Sequence, residues 1–116
     1  MIYESKELPN GYTALTMYTF DDIRDCMEFY RKGDFLTDDK YFHFQCECAG
    51  WSDEQIDEMM TKLTGIFDCK YQDGEITNTR ENHAEGLANM VQCATAICTM
   101  IIADESKMAK INWESD

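Results

Sequence analysis
The chain holds one proline, Pro9, and no run rich in serine, glycine or proline, so it lacks the material of an interdomain linker. Its 116 residues leave room for one modest core, which points to a single domain spanning 1–116. Basic residues are scarce: 10 Lys and Arg stand against 23 Asp and Glu, a net charge of −13. Affinity for nucleic acid comes from cations that neutralise phosphates, and anionic membranes select in the same way. Direct contact with nucleic acid or membrane is therefore not expected. There is no glycine-rich phosphate loop, G-x-S-x-G, H-E-x-x-H or EF-hand spacing. The opening MIYESKELPNG shows neither the basic start nor the apolar stretch of a secretory signal, and a cytoplasmic protein is expected.

The chain is 44% hydrophobic and 12% aromatic, values of a globular core rather than a disordered acidic chain. Six cysteines (26, 46, 48, 69, 93, 98) accompany eight methionines. Cys26 and Cys98 fall on apolar helical stripes, so the cysteines read as reduced core thiols. The one metal-like cluster is Cys46-x-Cys48 with His43, which is not a paired C-x-x-C; no metal and no cofactor is expected. His43 reads as a strand surface residue, and His83 as a partner of Glu81 and Glu85 at a helix start. A nucleophilic cysteine would need activation by one of these two histidines, usually beside positive charge, and the acidic surroundings work against a thiolate. Paired carboxylates do catalytic work when burial raises one pKa, whereas these acids sit on predicted exposed faces. No catalytic residue is assigned and no enzymatic activity is expected.

Periodicity predicts α+β order β-α-β-α-β-β-α, with a small mixed or antiparallel sheet of three or four strands. Residues 11–18 (GYTALTMY) follow the turn Pro9-Asn10-Gly11 and read as a strand. Thr19 then caps a helix carrying Ile23, Cys26, Met27 and Tyr30 on one stripe and ending at Gly33. Residues 40–48 (KYFHFQCEC) alternate, with Phe42, Phe44, Cys46 and Cys48 on one face, as in a strand. Ser52 and Gln55 form a capping box for a helix with the stripe Ile56, Met59, Met60, Leu63 and Phe67. Asp73-Gly74 predicts a hairpin. Thr79 or Asn82 starts the last and longest helix, which runs to about Lys110 and packs on the sheet. The first two strand–helix units align at an offset of 32, a faint sign of duplication.

From Gly86 to Ala103 the last helix carries no charge. Asn89, Gln92, Thr95 and Thr99 recur every three or four residues, too polar a pattern for a membrane span. Leu87, Met90, Val91, Ala94, Ile97, Cys98 and Ile101 make a core face. Ala88, Gln92, Thr95 and Thr99 form a second face, a candidate homodimer contact.

Acid is concentrated in residues 1–60, which hold 14 acidic and 5 basic side chains. Two stretches carry it: Asp21, Asp22, Asp25 and Glu28, then Asp53, Glu54, Asp57 and Glu58, extended by Asp34, Asp38 and Asp39. Asp21, Asp22, Asp53 and Glu54 suit helix first turns, where they complement the macrodipole. Asp25, Glu28, Asp57 and Glu58 lie a turn further in, where they add only repulsion. Carboxylates at helical i, i+3 or i, i+4 stand roughly 5–6 Å apart, of the order of the spacing between strand phosphates. These eleven residues are the expected contact surface for a basic protein. The function expected is a small acidic inhibitor of a nucleic-acid enzyme, of the phage- or plasmid-encoded anti-CRISPR or anti-restriction kind, which would act in the host cytoplasm. The alternatives are an immunity protein that neutralises a basic toxin nuclease, or an acidic adaptor or dimerisation module.

Overall fold
The fold is seen in a computed structural model that describes the backbone of residues 2–79 and 83–114 and the side chains of 2–79 and 84–104. Strands β1 (Ile2–Glu7), β2 (Thr13–Phe20), β3 (Cys26–Lys32) and β4 (Phe35–Thr37) come first. Helices α1 (Tyr41–Cys48) and α2 (Asp53–Ile66) follow, then β5 (Lys70–Gln72), β6 (Glu75–Asn78) and the long α3 (His83–Glu114). The α+β class and the long C-terminal helix are as expected. The sheet is larger: six strands, all pairs antiparallel, in the order β1-β2-β3-β4-β6-β5.

Two segments exchange their predicted types. Residues 19–33 hold no helix; Asp21–Asp25 is a turn and Cys26–Lys32 pairs with β2 through Ala14↔Tyr30 and Leu15↔Phe29. The Asp21 carboxylate accepts the amides of Ile23 (2.9 Å) and Asp25 (3.0 Å), so these aspartates form a turn rather than cap a helix. Met27 and Phe29 point inward with period two, while Ile23 and Cys26, half of the presumed helical stripe, are exposed.

Residues 41–48 are helical, not a strand, because Phe42, Gln45 and Cys46 bury at helical spacing and Phe44 and Cys48 face out. The C-terminus is a Schellman motif: Gly50 N–H meets Glu47 O (3.0 Å), Trp51 N–H meets Cys46 O (3.1 Å), and Gly50 has φ 87°. With one unit a strand and the other a helix, the 32-residue repeat has no structural counterpart.

The capping box of α2 forms as predicted, Gln55 N–H to Ser52 Oγ (3.2 Å) and Ser52 N–H to Gln55 Oε1 (2.9 Å). Asp73 (φ 52°) and Gly74 (φ 81°) close the β5–β6 hairpin with the two left-handed residues of a type I′ turn. Thr79 lies just before α3, and Asn82, the other predicted start, is outside the described residues.

One face of the sheet supplies Leu15, Met17, Met27, Phe29, Leu36 and Ile76 to the core. Phe42 and Cys46 of α1, Ile56, Met59 and Met60 of α2, and Leu87, Met90, Cys93, Ala94, Ile97 and Ile101 of α3 close over it. Ala84–Asp104 is long and apolar enough to cross a membrane by length and composition, but half of that window is buried as the core helix of this fold.

Candidate interaction surface
The eleven acidic residues divide by what their oxygens face. Asp21 and Asp38 are buried and serve the fold. Asp21 also accepts the Tyr41 hydroxyl, which ties the β2–β3 turn to α1. Asp38 is fully enclosed: Oδ1 accepts the amides of Lys40 (3.1 Å) and Ile76 (2.9 Å), and Oδ2 that of Phe42 (3.1 Å). It thus caps α1 and pins β6 at once. Asp39 and Lys40 just before α1 hold φ of 55° and 67°, left-handed values that non-glycine residues adopt only under local compensation. The Asp38 bond to Lys40 and the Asp39 N–H bond to Thr37 Oγ1 (2.9 Å) supply it. Burial pushes the Asp38 carboxyl up to about 6 despite three amide donors. Asp22, half-buried, accepts Gln45 Nε2 (3.1 Å) and also holds part of its charge inside the fold.

Four of the other acids, Asp25, Glu28, Asp39 and Asp57, gather around α1. A groove of about 670 Å³ is lined by Thr16, Asp25, Glu28, Tyr30, Asp39 and Tyr41, with Lys40 and Phe44 at one side. Glu28 is held there by Thr16 Oγ1 (3.3 Å) and by the Tyr30 hydroxyl (2.7 Å). Burial, then that hydrogen bond, raises the Tyr30 phenol to about 12, so it stays a donor. Lys40 and Phe44 also edge a second groove of about 780 Å³, lined with His43, Glu47, Asp57, Thr61, Tyr71 and Asp73. Asp57 accepts the Tyr71 hydroxyl (2.8 Å), and His43 Nδ1 lies 2.9 Å from Glu47. Burial and the Asp57 bond raise the Tyr71 phenol as well. Between the grooves stands Phe44, 58% exposed.

The tertiary structure therefore brings Asp25, Glu28, Asp39 and Asp57 to one surface and adds Glu47 and Asp73, which the sequence reading missed. Their signal was faint, since Glu47 lay in a presumed strand and Asp73 in a hairpin turn. Asp34, Asp53 and Glu54 line neither groove; Asp53 and Glu54 occupy the first turn of α2. Glu58 pairs with Lys62 (3.3 Å) beside a separate, more apolar groove floored by Trp51, Met59, Leu63 and Met100. The predicted helical row Asp22–Asp25–Glu28 does not exist, because its residues lie on a turn and a strand. The phosphate-like helical spacing survives only on α2.

On α3, Gln92, Thr95 and Thr99 are exposed and Ala88 is half-buried. The Thr95 and Thr99 hydroxyls donate to the Val91 and Thr95 carbonyls (both 2.8 Å) along their own helix. Cys26 and Cys48 are exposed; Cys46, Cys93 and Cys98 are buried, and all six cysteines are free. Burial, and then Asp22, push the Cys46 and Cys98 thiols up to about 12. The His83 side chain is outside the described residues. Among the described residues no three of His, Cys, Asp and Glu come together in a metal-holding group. Compared with known proteins, the chain matches no family model, no curated protein sequence and no solved structure.

Proposed function
We propose that this protein is a small acidic inhibitor that docks on a basic, nucleic-acid-binding surface of a target enzyme. The observation that carries the reading is the pair of adjoining acidic grooves around α1, with Asp25, Glu28 and Asp39 in one, Glu47, Asp57 and Asp73 in the other, and Phe44 exposed between them. An apolar anchor flanked by two groups of carboxylates, with Lys40 beside it, has the anatomy of a protein interface: the charges steer and orient, and the anchor desolvates. Tyr30, Tyr41 and Tyr71 add aromatic faces beside the acids, suited to Arg and Lys side chains of a partner. A net charge of −13 speaks for a protein partner rather than for nucleic acid itself. Antagonism of a CRISPR effector or a restriction enzyme is the task that best fits such a surface, since these enzymes present extended basic channels.

The test is inhibition of DNA cleavage by purified CRISPR effectors and restriction enzymes, with binding measured at low and moderate salt. The triple reversal Asp25→Lys, Asp39→Lys, Asp57→Lys is expected to abolish inhibition and flatten the salt dependence. Glu4→Lys with Glu7→Lys, on the exposed edge strand β1, reverses charge away from the grooves and is expected to leave most of the inhibition. Equal loss from both sets would show that diffuse net charge, not this surface, does the binding. No inhibition of any such enzyme by the unmodified protein would refute the proposal.

A further inference from the structure
The two edges of the sheet end differently. β5, three residues long, packs against α2, and the Tyr71–Asp57 hydrogen bond ties the two together. β1, at the other edge, runs for six residues, Ile2–Glu7, every one of them exposed. It pairs with β2 alone, so among the described residues its second row of backbone donors and acceptors meets no strand. The ladder fixes which residues own that row. Leu8 N–H donates to Tyr12 O (2.8 Å), and the pairs Glu7↔Thr13, Lys6↔Ala14, Ser5↔Leu15 and Glu4↔Thr16 continue the same register. Hydrogen-bonded and non-hydrogen-bonded pairs alternate along an antiparallel ladder. Glu4 and Lys6 therefore turn their backbone groups to β2, and Ser5 and Glu7 turn theirs outward.

We propose that β1 is a self-pairing edge: a second copy of the chain adds its own β1 antiparallel about a twofold axis at Ser5, which joins two six-stranded sheets into one. Side-chain charge selects both the partner and the register. An outward-turned residue must face another, so Ser5 can stand opposite Tyr3, Ser5 or Glu7 of the second copy. The first choice sets Glu4 against Glu4, and the last sets Lys6 against Lys6. Ser5 against Ser5 places Glu4 opposite Lys6, and by symmetry does so twice. Among the described residues neither of these two side chains forms a salt bridge within its own chain. The same register carries Ile2 toward Leu8 of the second copy at both ends, so Ile2, Glu4, Lys6 and Leu8 make a self-complementary series. The bulge between Ile2 and Glu4 leaves the centre of the contact regular.

The Glu4–Lys6 pairs fall at non-hydrogen-bonded positions of the new ladder, where Cα atoms stand about 4.5 Å apart and side chains come closest. Two chains of net charge −13 repel at long range, but salt screens that repulsion beyond about 8 Å at physiological ionic strength. The contacts across the axis then decide. A long, open edge strand is a template for another strand, and pairing it satisfies the outward backbone groups that β2 cannot reach. The inference rests on β1 and not on the grooves around α1, so it is independent of the inhibitor reading.

The test is sedimentation equilibrium of the whole protein across a dilution series at physiological ionic strength. A monomer–dimer equilibrium is expected. Ser5→Pro removes the two hydrogen bonds on the axis and none to β2, because the Ser5 N–H faces outward. It is expected to give a monomer with the circular dichroism of the parent. Glu4→Lys and Lys6→Glu each set like charges opposite one another at two places, and each is expected to raise the dimer dissociation constant about tenfold. The double exchange restores both pairs and is expected to bring the constant back. Diffuse charge would instead make Glu4→Lys, the less negative chain, the tighter dimer, and that result overturns the proposal. So does a monomer at every concentration. A dimer that Ser5→Pro or the single reversals leave intact also overturns it, and moves the contact elsewhere, such as to the Gln92, Thr95 and Thr99 face of α3. If Ser5→Pro does not fold, the charge exchange decides the question alone.

Discussion

Removing the charge of Asp38 isolates the one carboxylate, among the described residues, that the fold has enclosed completely. Its pKa rises from 3.8 to about 6 because burial outweighs the amides of Ile76, Phe42 and Lys40, with Glu75 adding repulsion. A carboxyl whose folded pKa exceeds its unfolded value binds its proton more tightly when folded. Its contribution to stability is complete below about 3.8 and is lost as pH rises to about 6. A shift of roughly two units at 1.36 kcal/mol each makes that loss about 3 kcal/mol. Asp38→Asn cannot titrate, and its amide oxygen replaces only one of the two acceptors, which leaves the Phe42 N–H or the Lys40 and Ile76 pair facing an N–H₂ group. That mismatch costs about 1–3 kcal/mol. The variant should therefore be less stable than the parent near pH 4 by that amount, and about equal or slightly more stable at pH 7. Urea unfolding of both proteins across this range, compared pairwise so that the remaining acids cancel, measures the difference. A difference that stays flat within about 0.5 kcal/mol, or that widens against the variant as pH rises, refutes the reasoning, because it means that Asp38 titrates alike in the folded and unfolded chain.

Asp21→Asn should destabilise by about 1–3 kcal/mol in chemical unfolding, since the replaced oxygen of this buried side chain leaves the turn amides or the Tyr41 hydroxyl unpaired. A helix-dipole role would give only about 0.3–1 kcal/mol, so the magnitude separates turn from helix. Ser52→Ala should cost about 0.5–2 kcal/mol by removing the Oγ that accepts Gln55 N–H, and no change in the unfolding midpoint would count against the capping box. Phe42→Ala opens a cavity between α1 and the sheet, where its ring packs 6.1 Å from that of Phe29, and about 3–5 kcal/mol should be lost. A loss below about 1 kcal/mol would place Phe42 at the surface and restore 40–48 as a strand.

Local sequence sufficed where one chemical signal allowed one geometry. The Ser52/Gln55 pair, the Asp73-Gly74 turn and the uncharged periodic run after Gly86 each specified an element that the structure contains. Tertiary structure decided the segments whose patterns satisfied two periods at once. Met27 and Tyr30 fit a helical stripe, but Met27 and Phe29 also fit a strand, and pairing with β2, a partner distant in sequence, selects the strand. Phe42, Phe44, Cys46 and Cys48 alternate, but Phe42, Gln45 and Cys46 bury together once Asp38 caps one end and Gly50 closes the other. β1 lies at an edge with every residue exposed, and β4 has three residues, so neither imprints a burial period on the chain.

The candidate surface divides in the same way. Net charge and its concentration in residues 1–60 follow from composition, because ionisation is a property of single side chains. Which carboxylates meet solvent does not, because the fold recruits Asp21 and Asp38 to satisfy amides that no backbone carbonyl reaches. Asp25, Glu28, Asp39, Glu47, Asp57 and Asp73 come from a turn, a strand, two helices, a hairpin and a helix-capping bend. Only the packing of α1 against the sheet and against α2 puts their charges side by side.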